Sequence, residues 1–188
     1  MSAAENAETR KIGWLHPAWR STLLALTFFL GFATTDAVLA VTFDGHVVKV
    51  IDGDTLTVAD AAGKRHTVRL ASIDAPEKRQ PFWLVSRQHL RELADGLSVT
   101  VEYDKLDRYG RMIAKVRVGA ADINFAQIKA GLAWHYTAYA RDQTTSERAL
   151  YRTAQHEASD ARLGLWSDPE PRPPWDFRMD QRITPPAR

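Results

Sequence analysis

From Val41 to Val118 the chain repeats one short unit, a few β-branched or alternating residues followed by a turn, and this limits it to a small class of folds. Val47 to Ile51, Thr55 to Val58, Thr67 to Leu70, Val99 to Tyr103 and Ile113 to Val118 are short and rich in residues that suit a pleated sheet. Asp52-Gly53-Asp54, Ala62-Gly63-Lys64 and Tyr109-Gly110-Arg111 separate them, so most neighbours are joined by tight turns. Five such strands predict a small barrel or sandwich. One interruption is helical, with Leu84, Gln88, Leu90, Leu93 and Ala94 near a 3.6-residue period and a stop at Asp95-Gly96. After Gly119 the pattern becomes helical, first through Ile123, Ala126, Gln127 and Ala130 to Gly131. A second run goes from about Ser146 through Leu150, Ala154 and Ala158 to Gly164. The expected class is α+β, mainly β, with three helices.

The ends of the chain follow different rules. Arg10, Lys11 and Arg20 precede an uncharged run from Ser21 to Ala33, and Val38-Leu39-Ala40 supplies a small-residue ending. The run is shorter than the roughly 20 residues that span a bilayer. The pattern is that of a secretory signal peptide over residues 1–40, cleaved after Ala40. This predicts a secreted or periplasmic protein; the alternative is a membrane anchor formed by residues 21–41. Residues 168–188 contain Pro169, Pro171, Pro173, Pro174, Pro185 and Pro186 and are expected to be extended and loosely held. The domain proper is then 41–167.

Composition removes several chemistries. The chain has no cysteine, so thiolate zinc sites, cysteine nucleophiles and disulfides are all excluded. Its six histidines show no metal-ligand spacing. With 25 Lys and Arg against 23 Asp and Glu the net charge is only +2, which argues weakly against a nucleic-acid partner unless the charges are clustered.

They are clustered, in three segments. Asp52-Gly53-Asp54 lies between two strands and taken alone is also a common hairpin signal. Arg69 projects from a strand that ends in Asp74-Ala75-Pro76-Glu77, and a turn there requires neither Glu77 nor the arginine. Asp107-Arg108-Tyr109-Gly110-Arg111 is dense in charge and alone reads as a solvated hairpin. A fourth segment is aromatic, with Trp134, Tyr136 and Tyr139 after Gly131, and core packing would account for it equally well. Asp54 and Asp74 are hard oxygen donors without a His or Cys companion, which favours Ca²⁺ or Mg²⁺ over zinc. Arg69 and Arg111 offer forks suited to phosphate, and Glu77 could orient or deprotonate a water. Together these are the parts needed to hydrolyse a phosphodiester.

Ile51-Asp52-Gly53-Asp54-Thr55, Arg69 with Asp74-Ala75-Pro76-Glu77, Asp107 to Arg111, Gly131 to Trp134 and Gly164-Leu165-Trp166 resemble, in order and spacing, the staphylococcal nuclease (thermonuclease) family. The resemblance covers about residues 43 to 167. It implies a five-stranded OB-fold barrel with three helices and a secreted, Ca²⁺-dependent nuclease that leaves 3′-phosphates. The implied partners are DNA and RNA, favouring single-stranded or unpaired regions, with no stable protein partner and a monomeric state. By motif, Asp54, Asp74 and the Ala75 carbonyl would hold calcium, Glu77 would position the water, and Arg69 and Arg111 would grip the scissile phosphate. Arg108 and Tyr109 would touch the substrate's phosphates. Thr137 stands where the type enzyme has a base-stacking tyrosine, which leaves Tyr136 and Tyr139 as the neighbouring candidates for substrate contact. Two other classes fit parts of the sequence: an OB-fold module that binds single strands without cleaving them, and a structural domain. The first would be weakened by three clustered carboxylates, and the second leaves the arginines unexplained.

Overall fold

A computed structural model describes residues 40–183. The expected leader and residues 184–188 lie outside them. Among the described residues no helix is long and apolar enough to cross a membrane.

Five strands form the barrel: β1 (Val41–Val50), β2 (Thr55–Asp60), β3 (Arg65–Leu70), and then, past two residues that make β4 (Ile73–Asp74), β5 (Ser98–Leu106) and β6 (Met112–Val118). β1 pairs antiparallel with both β2 and β5, β2 with β3, and β5 with β6. The parallel pairing of β3 with β6 closes the ring, which leaves none of these five strands with an unpaired edge along its whole length. Alternation on the strands sorts the faces, as Leu56 with Val58, Val68 with Leu70, Val99 with Val101 and Ala114 with Val116 are all buried. A bulge between Val47 and Lys49 bends β1 as it passes from one partner to the other. At Gly45, paired with Asp60, an added Cβ would lie 2.7 Å from the Ala59 carbonyl oxygen, so only glycine permits so close a pairing of β1 with β2.

Helix α1 (Trp83–Ala94) caps the barrel through Ser86, Leu90 and Ala94. Leu84, expected on the packed face, is 58% exposed, because the helix docks through small residues that bring its backbone close. The two-residue β7 (Ala121–Asp122) leads into α2 (Ile123–Lys129), whose N-cap Asp122 accepts from the Phe125 amide. Next, β8 (Trp134–His135) pairs with β4 in a small ribbon beside the barrel. A capping box of Thr144 and Glu147 starts α3 (Thr145–Asp160). That helix buries Tyr151, Ala154 and Ala158 and leaves Leu150 outside.

A fourth helix, α4 (Pro174–Ile183), stands where an extended, loosely held tail was expected. The prolines do not prevent it, since proline in a first turn gives up no helical hydrogen bond and already has the right φ. Trp175 then anchors the helix, 5.7 Å from the Trp134 ring and 5.3 Å from that of Tyr136.

Candidate active site

The site begins at the β1–β2 connection. The Ile51 and Asp52 amides both donate to the Thr55 carbonyl, and the Asp54 amide donates to Asp52 Oδ1. Gly53 has no left-handed φ, so the segment is not the Asp-Gly hairpin turn that its sequence suggests. Glycine is required there for another reason: a Cβ would come within 2.0 Å of Ser86 Oγ and 2.7 Å of Ala75 Cβ. The Gly53 carbonyl accepts from Gln127 Nε2 at 2.5 Å, and the Leu70 amide donates to the Asp54 carbonyl at 2.8 Å. Asp54 is thereby buried beneath the end of β3.

Arg69, on β3, gathers the carboxylates. Its Nη1 lies 3.0 Å from Asp54 Oδ2 and its Nη2 2.7 Å from Asp74 Oδ1. Nη1 also donates to the Leu70 and Ile73 carbonyls, so the guanidinium is locked by the turn that follows its own strand. Ser72 in that turn takes a left-handed φ of 64°, a strained conformation held by the Tyr136 amide on its carbonyl. The Ala75 amide donates to Asp54 Oδ2 at 2.6 Å. Asp54, Arg69, Asp74 and Ala75 are thus one connected unit.

Burial pushes the Asp54 carboxyl up to about 6, with Arg69 pulling against the rise and Asp52 adding to it. Burial raises Asp74 as well, opposed by hydrogen bonding from Arg178 and by the charge of Arg69. Glu77 differs, with a side chain 39% exposed against 1% for Asp74.

Arg178, which sequence reasoning did not single out, completes the cluster from α4. Its Nη2 donates to Asp74 Oδ2 at 2.8 Å, and its Nη1 to Asp74 Oδ1 at 3.2 Å and to Glu77 Oε1 at 2.5 Å. Gln80 ties the helix to the same loop, accepting from the Glu77 amide and donating to the Arg172 carbonyl. The buried polar residues Ser86, Asn124 and Gln127 were also missed. A polar residue on an apolar helical face was the available signal for Gln127; nothing local marks Arg178.

The other expected residues stand in two groups beside this unit. In the β5–β6 turn, Asp107 accepts from the Tyr109 and Arg111 amides and from Arg111 Nε at 2.7 Å. Some burial acts to raise Asp107, but those hydrogen bonds outweigh it and hold the carboxyl below its usual range. The guanidiniums of Arg108 and Arg111 lie 4.8 and 5.5 Å from the Tyr109 ring centre. Arg111 leads into the β6 segment that pairs with β3, where Ile113 is the register partner of Arg69. Tyr136 packs on Trp175, and the Tyr139 side chain lies outside the described residues.

The donor set suits a hard cation. Asp54 and Asp74 offer only carboxylate oxygens, and among the described residues no His contacts either. Among the described residues no three His, Cys, Asp or Glu side chains are grouped so as to hold a metal ion by themselves; Asp54 and Asp74 share Arg69, and Asp74 and Glu77 share Arg178. Each carboxylate oxygen has about two acceptor directions. On that count Asp54 Oδ1, which takes Thr55 Oγ1, and Asp74 Oδ2, which takes Arg178, each keep one free. Two buried carboxylates with acceptor capacity to spare fit a divalent ion bound through oxygen.

A closed five-stranded barrel capped by helices, with carboxylates and arginines gathered at the end of β3, defines an enzyme site for an anionic substrate. The family model for staphylococcal nuclease homologues matches residues 67–168, more than half of the chain. An uncharacterized endonuclease of Escherichia coli O157:H7 is 40% identical over 142 residues, covering 75% of this chain and 88% of that protein. One from Haemophilus influenzae is 39% identical over 137 residues, 73% of this chain and 74% of its own. A micrococcal nuclease of Shigella flexneri is 37% identical over 147 residues, 72% and 80% of the two chains. The chain belongs to the staphylococcal nuclease family and is a nuclease.

Proposed function

We propose that this nuclease hydrolyses DNA and RNA with bound Ca²⁺ and leaves 3′-phosphate ends. The observation that carries the reading is the pair of buried carboxylates, Asp54 and Asp74, held on one guanidinium with Glu77 at the solvent side. Asp54, Asp74 and the Ala75 carbonyl would hold the ion, whose positive charge offsets the negative charge of the diester. Glu77, whose side chain is 39% exposed at the edge of the cluster, would take a proton from the attacking water. Water adds to phosphorus, the bond to the 5′-oxygen breaks, and that oxygen leaves as a hydroxyl with a proton from solvent, to which Glu77 returns the one it took. Arg69 keeps Nε and one Nη2 hydrogen outside its carboxylate and carbonyl contacts, and Arg111 keeps its terminal nitrogens, for the equatorial oxygens as charge grows there. Arg108 and Tyr109 lie on the exposed turn beside Arg111, suited to neighbouring phosphates of an unpaired strand.

The test is the purified protein with single-stranded DNA, with Ca²⁺ or excess EGTA, and identification of the product ends. Cleavage only with Ca²⁺ and 3′-phosphate products are expected; full activity in EGTA rejects the metal site, and 5′-phosphates reject the proposed bond. Export follows from the leader as a further proposal. The processed protein isolated from its host should begin near Val41, and retention of residues 21–41 in the membrane would favour an anchor.

A further inference from the structure

Arg178 lies ten residues beyond the stretch matched by the family model, on a helix whose sequence gave no sign of entering the site. It makes three hydrogen bonds, and all three acceptors belong to Asp74 or Glu77. Asp74 Oδ1 already accepts from Arg69, so Arg178 fills its remaining direction and takes half of Oδ2. The guanidinium therefore stands where a cation coordinated by Asp74 would put its own charge.

Two contacts place the helix that carries it. Gln80 holds the Arg172 carbonyl just before α4 and Trp175 packs on Trp134, while the Arg178 side chain is itself 35% exposed on the solvent side of the cluster. Charge counting gives the same picture. Asp54, Asp74 and Glu77 against Arg69 and Arg178 leave one negative charge in the cluster. A divalent cation and a singly charged diester bring one net positive charge, and with Asp52 beside Asp54 the loaded cluster does not become positive even with Arg178 in place.

We propose that Arg178 is a further catalytic arginine, resting on Asp74 and Glu77 until a divalent cation takes Asp74 and then turning to the scissile phosphate. A cation on Asp74 repels the neighbouring guanidinium and takes two of its three acceptors, and the diester is the anion that enters the site with the cation. The inference rests on the proposed function above and adds one residue to it.

Removing Arg178 then has opposite effects on two measurements. In Arg178→Ala, Ca²⁺ binding measured by calorimetry without nucleic acid should tighten about three- to tenfold, since a competing partly exposed ion pair is gone. On single-stranded DNA at saturating Ca²⁺, kcat/KM should fall on the order of tenfold to a thousandfold, as for loss of one charged donor to a transition state. Arg178→Lys should lie between, keeping the charge but not the fork. A thermal melt checks folding, and if the alanine variant melts early, Arg178→Met retains the stem and replaces it. Weakening of both quantities marks a structural anchor and overturns the proposal. Tighter Ca²⁺ with unchanged or higher kcat/KM marks a mere competitor and also overturns it, as does no change in either. Should the unsubstituted protein fail to bind Ca²⁺, the parent reading fails; if it binds and cleaves but the variants do not diverge, only the role of Arg178 fails.

Discussion

Asp74 and Glu77 carry the same functional group three positions apart, and their surroundings divide the work between them. Asp74 is buried and clasped by two guanidiniums, so it suits a fixed charge; Glu77 has one oxygen pinned and the other open to water. Glu77→Gln keeps the shape and removes the basicity. We expect kcat to drop on the order of a hundredfold to ten-thousandfold with an unchanged melting curve, and near-normal turnover would remove Glu77 from the mechanism. Gly53 is constrained by space and not by φ. Gly53→Ala pushes a methyl against Ala75 Cβ, and Ser86 Oγ cannot retreat without leaving the Leu132 carbonyl it holds at 2.7 Å. A loss of about 1 to 3 kcal/mol in urea unfolding should result, together with weaker Ca²⁺ binding because Asp54 and Ala75 move apart.

At the scale of elements, α2 does more than fill space under the barrel. Gln127 is fully buried and reaches three ways, to the Gly53 carbonyl, the Ser86 carbonyl and His89. It joins α2, α1 and the first site loop through one side chain. Gln127→Ala would strand the two carbonyls and the His89 N–H in an apolar setting and should cost about 1 to 3 kcal/mol by chemical denaturation, whereas an effect within experimental error would show water replacing the amide. A second junction is the contact of Gly131 with Gly164, where a Cβ on either residue would meet the other segment's backbone at 2.4 or 2.3 Å. It seats Trp134 against Trp166, 4.4 Å between ring centres, and so forms the surface on which α4 docks. These junctions explain why the strands were legible and the helix faces less so. A strand's alternation shows its inner side directly, while α1 and α3 bury Ser86 and Tyr151 and leave Leu84 and Leu150 in solvent. Such choices depend on how closely two backbones approach.

For the whole molecule, acid stability should depend on His135, at the meeting of the β4–β8 ribbon and α3. Burial holds this imidazole below its ordinary 6.5, with the Gln143 hydrogen bond pulling the other way. The unfolded chain takes up a proton there near 6.5 and the folded chain only at lower pH. Its contribution is therefore complete above 6.5 and is lost as pH falls below that value. Asp54, raised to about 6, works in the opposite sense, so the informative quantity is the difference between the unsubstituted protein and His135→Asn. Melting curves from pH 7.5 to 5 should converge for the two proteins as pH falls; parallel curves would show that His135 does not titrate differently on folding.

By itself the sequence determined the barrel strands, the order of the charged motifs and the family, because these follow from short-range alternation, turn residues and spacing. Asp54, Arg69 and Asp74 were candidates at that level, and the fold brings them together on one guanidinium. Only the tertiary structure decided that Gly53 serves a close approach, that Gln127 faces inward and that the proline-rich segment forms a helix carrying Arg178 to Asp74 and Glu77. Arg178 and Asp74 are separated by 104 residues. No local pattern records such a contact, since it exists only once aromatic packing on Trp134 and Tyr136 has placed α4 against the site.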